Sequence, residues 1–421
     1  MRYQVNNIIY ASGEDLRNTL RFGIFFREKV QIGAMKEAAE EAAVRFPFFK
    51  VKMVREGETY FLEENEKPFV FHRGSEPLKL NSPESGGHLI AFSWEDDRIF
   101  LDTTHFLTDG NGAFPFIRTL LYCYLKKIHP EAEFDTSCIA RPGDEIPAEE
   151  REDNPYPAEP IPIEPVPARP LPEKILKLPE QEQGYGKMAS WTAFLFRIAQ
   201  KETMKYVSSV DGSPATFLAS LVYRAIDSLH PENEFPVVCG MQHQFRHAFG
   251  KNQSHLCHVN LVPMLYPVRL RGADIERLNT IGRGSLILRA SDEADLETVN
   301  AHIQNEKAIR TMTLSEKHDF MKRAVKDGIG NNTFEVSYTG RVAWGGLDKY
   351  VSFLTPYLDL TLSGGISVEI FSRDSDFDIN IMQRNGDEKT IRRVFELLGE
   401  CGISYDHFRT EHFSVPEFSN P

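Results

Sequence analysis

The stretch of this sequence best suited to chemistry is Thr104-His105-Phe106-Leu107-Thr108-Asp109-Gly110, a histidine followed four residues later by an aspartate and then a glycine. The preceding run Arg98-Ile99-Phe100-Leu101-Asp102-Thr103-Thr104 reads as a strand, so His105 leaves a buried strand on a turn. A neutral imidazole there can take a proton from an attacking hydroxyl, because its ordinary pKa lies near working pH. The same residues also fit a histidine merely hydrogen-bonded at a strand end. A metal pair is a third reading, but i and i+4 ligands need a helix, and Asp109-Gly110-Asn111-Gly112 predicts a turn. His243, His247, His255, Cys257 and His258 crowd a second stretch whose spacing fits no standard zinc pattern, so no metal is expected. Gly184-Tyr185-Gly186-Lys187 lacks a full P-loop, and the absence of a G-x-S-x-G elbow removes the usual serine-hydrolase route.

The chain has 421 residues, a length suited to two domains or a little more. With 48 Lys plus Arg against 61 Asp plus Glu, its net charge of −13 argues against holding nucleic acid through phosphates. Apolar residues at 41% and charged residues at 26% make an ordinary globular balance, with no run long enough for a membrane span. Five cysteines without paired spacing, and an N-terminus lacking an apolar signal core, predict a cytoplasmic protein with reduced thiols.

The charge is uneven. Residues 131–182 hold 14 acids, 5 Lys plus Arg and eleven of the 25 prolines, which predicts an extended acidic connector. The division expected is residues 1–130 as an N-terminal half carrying the histidine loop, 131–186 as a Pro-rich crossover linker, and 187–421 as a C-terminal half. In the first half, Arg21 to Phe26 reads as a strand. Gly33 to Phe46 reads as a helix whose stripe at 35, 39, 42, 43 and 46 would be buried, with Pro47 stopping it. Phe48–Val54 with Thr59–Leu62, and His88–Trp94 with Arg98–Thr104, read as hairpins, and Ala113 to Lys127 as a helix. In the second half a strand is expected over Ser190–Glu202, then a helix from Pro214, behind Ser213, through Leu229. Phe235–Met241, Thr333–Tyr338, Gly365–Phe371 and Phe377–Gln383 are β-rich, and Asp387–Cys401 is a closing helix.

The histidine stretch resembles the H-H-x-x-x-D-G signature of the CoA-dependent acyltransferase superfamily, with Thr104 in place of the first histidine. That group includes chloramphenicol acetyltransferase, plant BAHD acyltransferases, alcohol acetyltransferases, polyketide-associated acyltransferases and condensation domains. Leu20 to Val54 looks like its N-terminal unit. Met241-Gln242-His243-Gln244-Phe245-Arg246 looks like its strand ending in arginine. Val336-Ser337-Tyr338-Thr339-Gly340-Arg341-Val342 is similar to the Ser-Asn-x-Gly strand of the alcohol acetyltransferase branch, with Tyr338 where asparagine is usual. Ala343-Trp344-Gly345-Gly346 only faintly echoes the plant Asp-Phe-Gly-Trp-Gly motif.

The resemblance implies an α/β fold of two similar chloramphenicol-acetyltransferase-like sandwich halves with a tunnel between them, reaching His105 from opposite faces. His105 would be the general base on a hydroxyl or amine acceptor attacking an acyl-CoA thioester, with acetyl the expected acyl group. Ser337, or a nearby backbone N–H, would stabilise the oxyanion, with Tyr338 and Thr339 as further substrate-binding candidates. Asp109 would pair with Arg246 as structural support, and Gly110 and Gly112 would let the loop adopt φ values that other residues dislike. No permanent cofactor is implied: acyl-CoA, or another pantetheine thioester, is a co-substrate beside a small-molecule acceptor. Two alternatives are a condensation-like enzyme whose donor sits on an acyl carrier protein, and a non-catalytic binding relative of the fold.

Overall fold

Alternating small apolar residues and surface charges make Ile32–Arg45 a helix, α1, that buries Met35, Ala38, Ala39, Ala42 and Ala43 on one stripe. It packs beside helix α2, Gly110–Ile128, against a five-stranded sheet. That sheet contains β2 (Thr19–Phe26), β5 (Phe71–Arg73), β6 (Ile90–Glu95) and β7 (Arg98–Thr104); β1 (Arg2–Tyr3), β3 (Val51–Glu56) and β4 (Thr59–Glu64) form a separate small sheet. The computed structural model describes the chain except residues 1, 4–5, 14–15, 151–154, 165, 167–169, 179–190, 330, 361–364, 374, 385–387 and 420–421.

The second sheet has seven strands in the order β10-β9-β11-β13-β14-β8-β15. They are β8 (Trp191–Ala199), β9 (Val237–Gln244), β10 (Val259–Tyr266), β11 (Phe334–Arg341), β13 (Ile366–Ser372), β14 (Asp376–Gln383) and β15 (Tyr405–Phe413). The β9–β11 and β11–β13 pairs are parallel and the rest antiparallel. Helices α4 (Pro214–Leu229) and α8 (Lys389–Glu400) bury their apolar faces with the second core. Ser213 caps α4 through a reciprocal pair with Thr216, and Pro214 occupies its first turn, where its missing N–H costs nothing. The remaining helices are α3 (Gln200–Ser209), α5 (Ile275–Arg289), α6 (Asp292–Ile309) and α7 (Leu314–Ile329).

The crossing between the halves is made by β12, Val351–Leu358, which pairs antiparallel with β2 in the five-stranded sheet. Gly23 of β2 admits it, since a Cβ there would lie 2.7 Å from the Tyr357 ring. Buried Asp378 of β14 accepts the Leu354 N–H at 3.0 Å, and Asn380 donates to the Pro356 carbonyl at 3.0 Å, so β12 is stitched to the second sheet as well. Pro356 and Leu358 thereby become walls of the central cavity.

Several expectations need correction. The strand begun near Ser190, itself outside the described residues, ends at Ala199, and Gln200–Ser209 is helical. Phe48 and Phe49 lie in a 3-10 turn rather than in β3. Helix α2 starts at Gly110, not Ala113, so the expected turn over Asp109–Gly112 is the first turn of a helix. Within 131–186, regular structure among the described residues is confined to two 3-10 turns, Thr136–Cys138 and Ala148–Glu150. Residues 179–186 and the proposed boundary after them lie outside the described residues, as do Gly184–Lys187.

Candidate active site

Strand β7 delivers His105 directly from its last residue, Thr104. Thr104 lies opposite Thr19 of β2, and the His105 N–H donates to the Asn18 carbonyl at 2.8 Å, which fixes where the histidine leaves the sheet. Upstream, Arg21 grips Asp102 with two bonds of 2.6 and 3.0 Å across β2 and β7. A fully buried, bidentate pair of this kind sets register firmly.

Asp109 caps α2, accepting the Gly112 N–H on Oδ1 at 2.9 Å. The same oxygen takes Arg246 Nη2 at 2.7 Å, and Oδ2 takes the His258 N–H at 2.9 Å. Arg246 in turn donates Nε to the Ser254 carbonyl at 3.0 Å and Nη2 to the Leu256 carbonyl at 2.6 Å. The carboxylate therefore ties the His105 loop to the segment between β9 and β10, and among the described residues it makes no hydrogen bond to His105. Burial alone would raise the Asp109 pKa; the Arg246 guanidinium and the two backbone N–H groups outweigh it and hold the carboxyl below its ordinary value. Burial lowers the His105 pKa, partly offset by the Asp109 charge, so the imidazole is neutral at working pH.

The glycines work differently from expectation. Neither Gly110 nor Gly112 has a positive φ; both sit in the first turn of α2. Gly112 is instead a point of close approach: a Cβ would lie 2.1 Å from the His255 carbonyl oxygen and 2.5 Å from Thr108 Oγ1. Gly112→Ala should cost about 1–3 kcal/mol, read as a lower urea midpoint. Gly110→Ala meets nothing nearer than Phe114 at 3.7 Å, so it should leave the midpoint unchanged or raise it by up to about 1 kcal/mol. Equal losses at both positions would overturn this distinction.

His105 lines two cavities. The smaller, about 70 Å³, is walled by Asp109 and Gly110 at the head of α2 and by Ser337, Tyr338 and Thr339 on β11. The larger, about 350 Å³, lies on the side of Cys257, His302, Val325 and Glu335. Cys257 Sγ is 3.8 Å from His105 Nδ1. Burial, with the Asp109 charge, pushes that thiol up to about 12, so it stays protonated. Ser337 stands opposite Glu369 on the neighbouring strand and favours its ionised form, whereas Thr339 Oγ1 is buried without a partner among the described residues. Tyr338 packs edge-on against Phe377. Trp344 is buried against Phe371, away from these cavities.

In the second titratable cluster His243 and His247 approach the same Asp295 carboxylate, at 2.9 and 3.7 Å, His247 also meets Asp292 at 3.1 Å, and His255 stacks on Phe48 at 3.8 Å. His258 meets the Ser254 hydroxyl at 3.1 Å. Cys257, Gln242, Glu335 and Glu369 went unread as site residues. The signal for the last two was present: Glu335, Ser337 and Thr339 alternate with apolar residues along β11, as Ser367 and Glu369 do along β13. Alternation of that kind reads as a solvated strand face, and here the polar face is turned into the molecule.

No protein-family model matches the sequence, and no curated protein matches it significantly. Solved structures do match over almost the whole chain. TRI101 of F. graminearum, complexed with coenzyme A and deoxynivalenol, superposes with a TM-score of 0.60 at 12% identity, covering 96% of this chain and 99% of that one. The condensation domain of the Monacolin K polyketide synthase MokA gives 0.54 at 9% identity, covering 95% and 96%. Polyketide synthase associated protein 5 from Mycobacterium tuberculosis gives 0.54 at 12%, covering 90% and 93%. The chain thus has the two-halved fold of CoA-dependent acyltransferases and condensation domains. Among the described residues, no helix is long and apolar enough to cross a membrane.

Proposed function

We propose that this protein transfers an acyl group from a CoA thioester to a hydroxyl or amine acceptor, with His105 as the general base. The observation that carries the reading is a neutral, strand-anchored histidine bordering two cavities. Two substrates bound in them would meet at one imidazole, which gives the proximity that group transfer needs. In the tautomer that carries its proton on Nδ1, beside Cys257 Sγ, Nε2 is the basic nitrogen. It takes the acceptor proton as the acceptor oxygen or nitrogen attacks the thioester carbonyl. The tetrahedral oxyanion collapses, the C–S bond breaks, and the thiolate recovers the proton from the imidazolium. Thr339, whose buried hydroxyl has no partner among the described residues, suits the oxyanion role better than Ser337, which stands opposite the Glu369 carboxyl; such a donor is worth roughly 2.7–4 kcal/mol of barrier. Because Asp109 spends both oxygens on Arg246, Gly112 and His258, its part is to hold the loop rather than relay charge.

A carrier-bound donor is a second reading, favoured by the likeness to the MokA condensation domain and to a condensation domain of the enacyloxin polyketide synthase. Thiol release from a panel of acyl-CoAs, with small alcohols and amines present, tests the first reading. Acceptor-dependent release, strongest with acetyl-CoA, is the expected result. No release with free CoA thioesters, but transfer from a pantetheinylated carrier, would replace the first reading by the second. Stabilisation by CoA without any turnover would favour a binding-only relative.

A further inference from the structure

Glu335 and Glu369 are buried acids that the transfer mechanism does not use. Glu335 is 5% exposed and Glu369 3%, and they stand on adjacent parallel strands, with Glu369 opposite Ser337, two residues beyond Glu335. Neither has a Lys or Arg partner among the described residues. The Asn332 amide beside Glu335 favours its ionised form and fits because Gly240 opposite carries no side chain; a Cβ at Gly240 would lie 2.7 Å from Asn332 Nδ2. Like Oε1 of Glu369, Oε1 of Glu335 is buried with no hydrogen-bond partner among the described residues. A buried carboxylate left half-satisfied costs free energy unless a cation or donor completes it.

That unmet oxygen belongs to a residue lining the 350 Å³ cavity, which His105 also borders. The cavity has apolar walls at Ile8, Leu261 and Val325, a second carboxylate at Asp359, and no Lys or Arg among the described residues of its lining. Its histidine, His302, is stacked on Tyr156 and held neutral, with burial lowering its pKa to about 4. Such a chamber offers no cation to the phosphates of a CoA donor and suits a cation on a short hydrocarbon chain. Burial, with Glu369 close by, raises the Glu335 pKa to about 8, so the empty site favours the neutral acid and an arriving ammonium favours the carboxylate.

We infer that the acceptor is a small cationic amine, an amino alcohol or diamine, whose ammonium is bound by Glu335 while its other end is presented to His105. This rests on the acyl-transfer reading for the identity of the reaction, but the binding of the ammonium can be measured without it. The test uses the full chain, wild type and Glu335→Gln, with an acyl-CoA. Linear amino alcohols of graded length are compared with the same alcohols lacking the amine. In wild type the amino compounds should show kcat/KM at least tenfold above their deaminated counterparts, and Glu335→Gln should collapse that ratio towards one. In parallel, a linear diamine without donor should raise the wild-type melting temperature, and the variant should show no rise.

Equal kcat/KM for amino and plain alcohols in wild type overturns the inference and leaves acyl transfer standing. Preference for a neutral polyol over the amino alcohols overturns it too. If no acceptor supports thiol release, the transfer reading fails, and the diamine shift alone decides whether Glu335 binds a cation. Should Glu335→Gln not fold, the wild-type amine preference and diamine shift still decide: with both absent, the inference is wrong.

Discussion

His105→Ala is expected to lower kcat/KM by about 10²–10⁴-fold, the usual worth of a positioned general base, with the melting temperature close to wild type. Stability should change little because the side chain borders two cavities and its one side-chain hydrogen bond among the described residues is the weak approach to Cys257 at 3.8 Å. The loop stays in place through backbone and neighbours: the His105 N–H bonds Asn18, and Phe106 and Leu107 are buried. The pH profile gives an independent check. The active imidazole is the neutral form, and burial lowers its pKa below the ordinary 6.5. Activity on a neutral alcohol should therefore hold down through pH 6.5 and fall only at more acid pH. A limb centred above 6.5, or an alanine variant with undiminished turnover, would remove His105 from the base role.

How much of this arrangement the sequence disclosed depends on what kind of force fixes each part. Helices α1 and α4 were legible because their burial stripes and stop or cap residues are local. Strands β10 and β12 were not, and they share a reason. Each carries a proline, Pro263 and Pro356, that argues against a central strand, yet each lies at the edge of its sheet, where a missing N–H goes unmissed. Edge position is a tertiary fact, so the local signal misleads. Helices α5, α6 and α7 are polar over most of their surface; α6 buries only Asp295, Val299, Ile303 and Ile309 among its eighteen residues. Their helical period is correspondingly faint.

In the site, the histidine motif and the arginine after β9 were found through resemblance, and the contact between Asp109 and Arg246 follows from chain segments 137 residues apart. The glycines show the limit from the other side. Residue type alone does not separate a glycine needed for its φ from one needed for a missing Cβ, and at Gly112 it is the carbonyl of His255, distant in sequence, that decides.

Asp109→Ala should have the largest effect on stability of any single change in the site. It removes three bonds, 2.7 Å to Arg246, 2.9 Å to Gly112 N and 2.9 Å to His258 N, and leaves a buried guanidinium without its counter-charge. Breaking a buried pair from one side costs about 3–5 kcal/mol, and loss of the α2 cap adds roughly 1 kcal/mol. The expected reading is a large drop in the urea midpoint. The pH dependence has a definite sign. The folded pKa of Asp109 is below its ordinary 3.8, so its contribution is fully present above about 3.8 and is lost as pH falls towards the folded value. The gap between wild type and variant should therefore be constant near neutrality and narrow only in strong acid. Transfer activity, measured well below the variant's unfolding midpoint, should fall by much less than with His105→Ala, because no Asp109 oxygen is bonded to the imidazole. Arg246→Leu in the Asp109→Ala background should recover part of the loss, since it removes the stranded charge. An Asp109→Ala protein that is as stable as wild type but inactive would reverse the assignment, making the carboxylate a partner of the imidazole rather than the tie between the two halves.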